Sequence, residues 1–220
     1  MNAINQRTGE TSSPFLRDIE DRLKNPETVL HWYDLLCPFC YIGQHRTGIL
    51  VEHGLQVMEL PFQAHPEIPP EGTPAGPRIG PMYSHLEHEA KAAGLPLHWP
   101  ARLPDTRRAL AAAEWVRRHQ PEKFPQFHKD LFAAHFVHNE NLGDPMVIER
   151  YAAALGIDLE RLNTALSDGS ALWAVTESEM LGREYGVRGT PAWLIGHQLI
   201  SGALPPAEFE RLADAVAGKG

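Results

Sequence analysis

Apolar positions along the chain fall into runs of two kinds. Val29-Leu30-His31-Trp32-Tyr33-Asp34-Leu35-Leu36 is a strand-like stretch, and Leu55 to Phe62 is a second. Between them, Pro38 to His53 has helical character and is closed by Gly54, so Val29 to Phe62 reads as a β-strand, α-helix, β-strand unit. A stretch rich in Pro and Gly, from Pro66 to Pro81, then breaks regular structure. Helical patterns with caps follow: Met82 to Ala93 before Gly94, Asp105 to Arg118, and Lys123 to Val137 with Pro125 in its first turn. Another opens at Asp144-Pro145 and ends at Gly156, Asp158 caps a short one, and Leu172 to Tyr185 ends at Gly186. Residues 186 to 195 read as a loop entering a strand, in which Pro191, lacking an N–H, belongs at the strand's start. Gly196-His197 turns the chain into a further strand, Gln198 to Ile200. A last amphipathic helix, Pro206 to Ala217, carries Phe209, Leu212, Ala213 and Val216 on one face. The expected architecture is α/β with a mixed sheet, βαβ plus ββα, interrupted by an all-α insert. No internal repeat or low-complexity segment appears.

The only two cysteines are Cys37 and Cys40, with Pro38 and Phe39 between them, where the first strand gives way to its helix. A thiol at a helix N-terminus feels the partial positive charge of unpaired N–H groups, which favours the reactive thiolate. Pro38 suits a first helical turn, where a missing N–H costs nothing. The pair therefore offers an attacking and a resolving thiol. Two other readings compete. One CxxC is half of a four-ligand zinc site, but no second CxxC exists and none of the 12 histidines forms a zinc-finger pairing with it. A purely structural disulfide would close too small a loop to remove much chain entropy.

Asp34-Leu35-Leu36-Cys37-Pro38-Phe39-Cys40-Tyr41-Ile42-Gly43 resembles the D-x-x-C-P-W-C-Y-I-G motif of DsbA-like thioredoxin-fold proteins, most closely the FrnE-type dithiol–disulfide oxidoreductase/isomerase branch. Gly186-Val187-Arg188-Gly189-Thr190-Pro191 resembles that family's cis-proline loop, and Ser201-Gly202-Ala203 the segment before its last helix. The resemblance spans about residues 28 to 217. It implies a thioredoxin-like domain built from residues 26–65 and 181–220, an inserted helical domain at 66–180, and an N-terminal tail or docking arm at 1–25. It also implies that Cys37 is the exposed nucleophile and Cys40 the buried resolving thiol. Pro191 would be the cis-proline packed against the disulfide, and Thr190 would offer backbone groups to an extended substrate.

Two positions depart from the relatives. Phe39 stands where Trp is usual. Six residues before the first cysteine, where thioredoxin and DsbA carry a buried acid, this chain has His31, a candidate proton shuttle or simply a strand histidine with a backbone partner. Asp34 either tunes the cysteines or is an exposed carboxylate ending the strand. Pro-Phe between the cysteines lacks the His of the oxidising relatives, so an intermediate or more reducing couple is expected. On the scale that separates DsbA from thioredoxin by about 150 mV, a potential above about −140 mV would refute that.

The net charge of −8 and the lack of a basic cluster argue against nucleic-acid binding, and Arg107-Arg108 and Arg117-Arg118 read as solvated helix faces. No apolar run is long enough to span a membrane. Residues 1 to 24 lack the apolar core of a secretion signal, so a cytoplasmic location is expected. In that compartment, where thiols are kept reduced, a reductase or isomerase fits better than a net oxidant. The expected partners are disulfide- or dithiol-containing proteins or small molecules. No cofactor beyond the cysteine pair is expected, although glutathione is a candidate thiol partner; oligomeric state is not legible. Two further classes stay open: a glutathione-dependent isomerase or kappa-class-like glutathione transferase, whose members typically have Ser at the first cysteine position, and a peptide-binding adaptor with a vestigial CxxC. His128, His135 and His138, with Asp130 and Glu140, invite a metal reading that lacks a second shell. Trp99, Trp115, Phe132 and Phe136 are candidate groove-lining residues, with core positions the default.

Overall fold

The computed structural model describes residues 13–218. The chain opens with α1 (Pro14–Arg22), then β1 (Thr28–Tyr33), α2 (Pro38–Glu52), β2 (Gln56–Pro61) and β3 (Thr73–Pro74). Next come α3 (Pro81–Ala92), β4 (Arg102–Leu103), α4 (Arg107–His119), α5 (Phe124–Phe136), α6 (Pro145–Ala154), α7 (Leu159–Ser167) and α8 (Ser170–Glu184). β5 (Ala192–Ile195), β6 (Gln198–Ser201) and α9 (Pro206–Val216) complete it. The main sheet has the order β2-β1-β5-β6, with β1 parallel to β2 and the other neighbours antiparallel. It is the mixed α/β sheet the sequence predicts.

Side chains alternate across β1 and pack both faces of the sheet. Val29 points with Trp193 and Ile195 toward α2 and α9, meeting Ile49, Leu50, Phe209 and Leu212. Leu30 and Trp32 point the other way, with Leu60, Leu194 and Leu181. That second face is completed by Phe15 and Ile19 of α1. Residues 14–22, expected within a tail or docking arm, thus form a helix capped by Ser13, whose hydroxyl accepts from the Leu16 N–H (3.3 Å). The remainder of that segment, residues 1–12, lies outside the described residues.

The helical insert packs on the sheet end that carries the cysteines. Tyr33, Leu35, Cys37, Cys40 and Tyr41 share one apolar cluster with residues of α4 through α8. The boundary expected at residue 180 falls inside α8, which runs unbroken from the insert onto the sheet. Trp32 Nε1 donates to the Ser178 carbonyl (3.2 Å), and Gly182 lets the helix lie against Trp32 and Phe62, where a Cβ would come within 2.9 and 3.2 Å.

Three sequence expectations are corrected. The first strand stops at Tyr33 instead of Leu36, because Asp34 turns the chain: the Leu36 N–H donates to Asp34 Oδ1 (3.3 Å) and the Cys37 N–H to the Asp34 carbonyl (3.1 Å). The Pro66–Pro81 stretch holds a short ribbon, since Thr73 and Pro74 pair with Leu103 and Arg102. Arg107, Arg117 and Arg118 are largely buried ion-pair partners: Glu114, fully buried in α4, accepts from Arg117 and Arg118, and Arg107 bonds Glu179 (2.5 Å). A carboxylate taken out of water needs such cations, which fixes those arginines inward.

Candidate functional site

Cys37 is the N-cap residue of α2, and Pro38 occupies its first turn. The Cys40 and Tyr41 N–H groups both donate to the Cys37 carbonyl (3.0 and 3.1 Å), closing that turn and leaving the Cys37 side chain at the helix N-terminus. Both thiols are free; Cys37 is 9% exposed and Cys40 fully buried. Across the sheet, the Thr190–Pro191 peptide is cis, and the Cys37 thiol donates to the Thr190 carbonyl (3.3 Å). The two ends of the fold, 153 residues apart in sequence, meet at that contact.

The two sulfurs sit in different environments. A hydrogen bond from the Cys40 thiol, outweighing burial and joined by backbone N–H donation, holds the Cys37 thiol below its ordinary value. Burial pushes Cys40 well above its own, and the neighbouring Cys37 sulfur adds to the shift. The two thiols are thus shifted in opposite directions, with ionisation favoured at Cys37 and opposed at Cys40, the asymmetry that suits an attacking and a resolving thiol.

Phe39 is half-buried and packs against the insert, near Leu86, Leu97 and Trp99 and near Ala203. Arg46 of α2, itself buried, donates to the Leu204 carbonyl (3.0 Å) and pairs with Glu89 of α3, fastening that helix beside the cysteines. Trp115, Phe132 and Phe136 are core residues; Phe136 stacks on Tyr41 (4.8 Å), behind the site.

His31 is brought to this end of the molecule with a carboxylate partner. Register pairs it with Glu59 on β2, and its Nδ1 lies 2.5 Å from Glu59 Oε2. Burial pushes the Glu59 carboxyl up, but its pairing with His31, joined by the Thr47 hydrogen bond, holds it below its ordinary value. His31 stacks flat on Trp193 (4.2 Å) and lies 6.3 Å from the ring of Tyr33, which belongs to the same apolar cluster as the cysteines. Sequence reasoning missed Glu59, since nothing in its own segment marks it. It also left Asp34 as an alternative between tuning and exposure; the carboxylate is fully buried.

His128 and His135 are buried among aromatic rings, and burial lowers both to about 4, so they are neutral. His138 is exposed. Among the described residues no group of three or more His, Cys, Asp or Glu side chains converges for a metal ion, and no helix is long and apolar enough to cross a membrane.

A βαβ–ββα sheet with a helical insert, a CxxC at a helix N-terminus and a cis-proline facing it define the DsbA-like class of thiol–disulfide oxidoreductases. Residues 28–214 match the DSBA-like thioredoxin domain model, and the chain belongs to that family. Among curated proteins it is similar to YwbO of Bacillus subtilis, an uncharacterized protein, with 23% identity over 184 residues covering 81% of this chain and 91% of that one. Among solved structures, a probable DsbA oxidoreductase of Streptomyces coelicolor superposes with a TM-score of 0.77, at 20% identity over 88% of this chain and 91% of the other. A 2-hydroxychromene-2-carboxylate isomerase gives 0.70, at 18% identity over 88% and 99%. The cytosolic disulfide reductase DsbM of Pseudomonas aeruginosa, solved with glutathione, gives 0.59, at 17% identity over 87% and 96%.

Proposed function

We propose that this protein exchanges disulfides through the Cys37–Cys40 pair. The observation that carries the reading is the placement of two cysteines within one turn of a helix N-terminus, with the Cys37 sulfur against the Thr190 carbonyl of the cis Thr190–Pro191 peptide; burial and the pair's own hydrogen bond shift the two thiols in opposite directions. Cys37 thiolate attacks a substrate disulfide, forming a Cys37–substrate disulfide and releasing one substrate thiolate. Cys40 then loses its proton and attacks the Cys37 sulfur, releasing the second substrate thiolate and leaving the Cys37–Cys40 disulfide. Two electrons pass to the substrate. An extended substrate lies beside Thr190 and Pro191, with Pro38 and Phe39 shaping the floor. His31, backed by Glu59, is the candidate acceptor for the Cys40 proton, with its Nε2 unpartnered within the core.

The protein is read as a cytoplasmic reductase or isomerase, with glutathione as the candidate thiol that returns the pair to its reduced form. DsbM, a cytosolic disulfide reductase with bound glutathione on the same fold, supports that direction. The test is equilibration against graded glutathione buffers, followed by thiol alkylation and intact mass. A two-electron transition is expected in wild type. Cys37→Ser should abolish exchange, and Cys40→Ser should stop turnover while accumulating the mixed disulfide. Two thiols that remain free across all buffers would refute the reading.

The likeness to the chromene isomerase supports a second reading, in which the site activates glutathione's own thiol. It predicts that Cys40→Ser spares glutathione-dependent isomerisation or conjugation.

A further inference from the structure

Among the described residues, the buried carboxylates pair with basic side chains, with one exception beside the cysteines. Glu114 accepts from two arginines, Glu179 from Arg107, and Glu59 faces His31. Asp34, fully buried and three residues before Cys37, is instead held by neutral donors. Thr106 Oγ1 donates to Oδ1 (2.7 Å), the Leu36 N–H to the same oxygen (3.3 Å) and the Ala64 N–H to Oδ2 (2.8 Å). The two backbone groups can only donate, and with the Thr106 hydroxyl they set three donors on the two carboxyl oxygens, an arrangement that suits an anion. The charge is thus held by three separate segments: the turn after β1, the loop after β2, and the start of α4 in the insert.

We propose that Asp34 is a positioning residue whose buried negative charge sets the redox poise of the Cys37–Cys40 couple, with Thr106 of the insert holding that charge in place. The inference rests on the dithiol couple proposed above. Reducing the disulfide takes up two electrons and one proton and leaves Cys37 as a thiolate with Cys40 as a thiol, adding one negative charge next to Asp34. Like charges in a low-dielectric site repel. Asp34 therefore disfavours the reduced form and makes the couple more reducing. The same charge opposes ionisation of Cys37, and burial raises the Asp34 carboxyl itself, with its donors acting the other way. The titratable groups around Asp34 are Tyr33 and the cysteines on its own side and His65 on the loop after β2.

Asp34→Asn removes the charge with little repacking. Its amide oxygen can still accept from Ala64, and its NH2 can donate to Thr106 Oγ1, which reverses its role; only the long Leu36 contact is lost. Far-UV circular dichroism and urea midpoints establish that the variant is folded. Asp34→Ser, neutral and small enough to admit a water, carries the same test should Asn not fold. The experiment measures the glutathione equilibrium of wild type and variant, together with the Cys37 thiolate titration by absorbance at 240 nm. Expected is about a tenfold shift toward the reduced form, equivalent to about 30 mV for two electrons, and a Cys37 titration displaced about one pH unit lower. A folded variant with unchanged equilibrium and unchanged titration would overturn the proposal. Absence of a two-electron transition in wild type would instead remove the dithiol reading on which it rests.

Discussion

Replacing Glu59 by Gln isolates the charge in the His31 pair from its shape. Glu59 Oε2 lies 2.5 Å from His31 Nδ1, and Oε1 accepts from the Thr47 hydroxyl at 3.3 Å. An amide can keep both contacts, its oxygen accepting from His31 and its NH2 donating to Thr47. What is lost is the charge assistance, roughly the difference between about 2 kcal/mol for a hydrogen bond to a charged group and about 1 kcal/mol for a neutral one. Relief from burying a carboxylate returns part of that. Because the folded carboxyl sits below its ordinary value, the pairing outweighs the burial, and Glu59→Gln should destabilise by a fraction of that, about 0.5 kcal/mol near pH 7. A depressed carboxyl gives stability that is present above its unfolded pKa and lost as pH falls through the folded one. The gap between wild type and variant should therefore close on acidification below about pH 4. Urea unfolding followed by circular dichroism at pH 7, 5 and 3.5 measures it. If the pair also accepts the Cys40 proton, the pH profile of mixed-disulfide resolution moves in the variant while the wild-type glutathione midpoint is retained. A variant as stable as wild type at pH 7, or a gap that does not narrow in acid, would refute the reasoning.

Two other outcomes follow from packing and burial. His128 and His135 titrate near 4 when folded but near 6.5 when unfolded, so the unfolded chain binds more protons between those values and stability falls as pH drops from about 6.5 to 4. At pH 5 each costs about 2 kcal/mol relative to pH 7, and His128→Phe, set among Tyr33, Phe124 and Phe132, should remove one share from the urea-measured pH dependence. Gly182→Ala gains about 1 kcal/mol of helix propensity but drives a methyl to 2.9 Å from Trp32 Nε1, a ring that is fully buried. Overpacking of about 1–3 kcal/mol should win, lowering the melting temperature by a few degrees while leaving the glutathione midpoint unchanged; a raised melting temperature would contradict it.

Much of this architecture is written in contacts between near neighbours in sequence. Cys37 and Cys40 lie one turn apart, Pro38 and Gly54 mark the ends of α2, and the Phe209, Leu212 and Ala213 face of α9 follows from helical spacing. Those features depend on local backbone geometry, so the chain alone determines them. The cis-proline loop was legible for a different reason, a short motif resembling a known family, confirmed by the cis Thr190–Pro191 peptide.

Partners chosen by sheet register or by insert docking were not legible. Glu59 meets His31 only because β1 and β2 lie parallel with those two residues paired; a slip of one residue would turn either side chain to the opposite face. Asp34 looks the same in sequence whether it faces water or the core, and Thr106 covers it only once the insert has packed on the sheet end. The same packing turns Arg117 and Arg118 inward onto Glu114 and seats Phe15 of α1 beneath Arg118. The sequence by itself determined where the two cysteines stand and at which helix N-terminus. Only the tertiary structure decided which partners the buried carboxylates meet, because Thr106 and His31 reach Asp34 and Glu59 through docking and register that no local rule encodes.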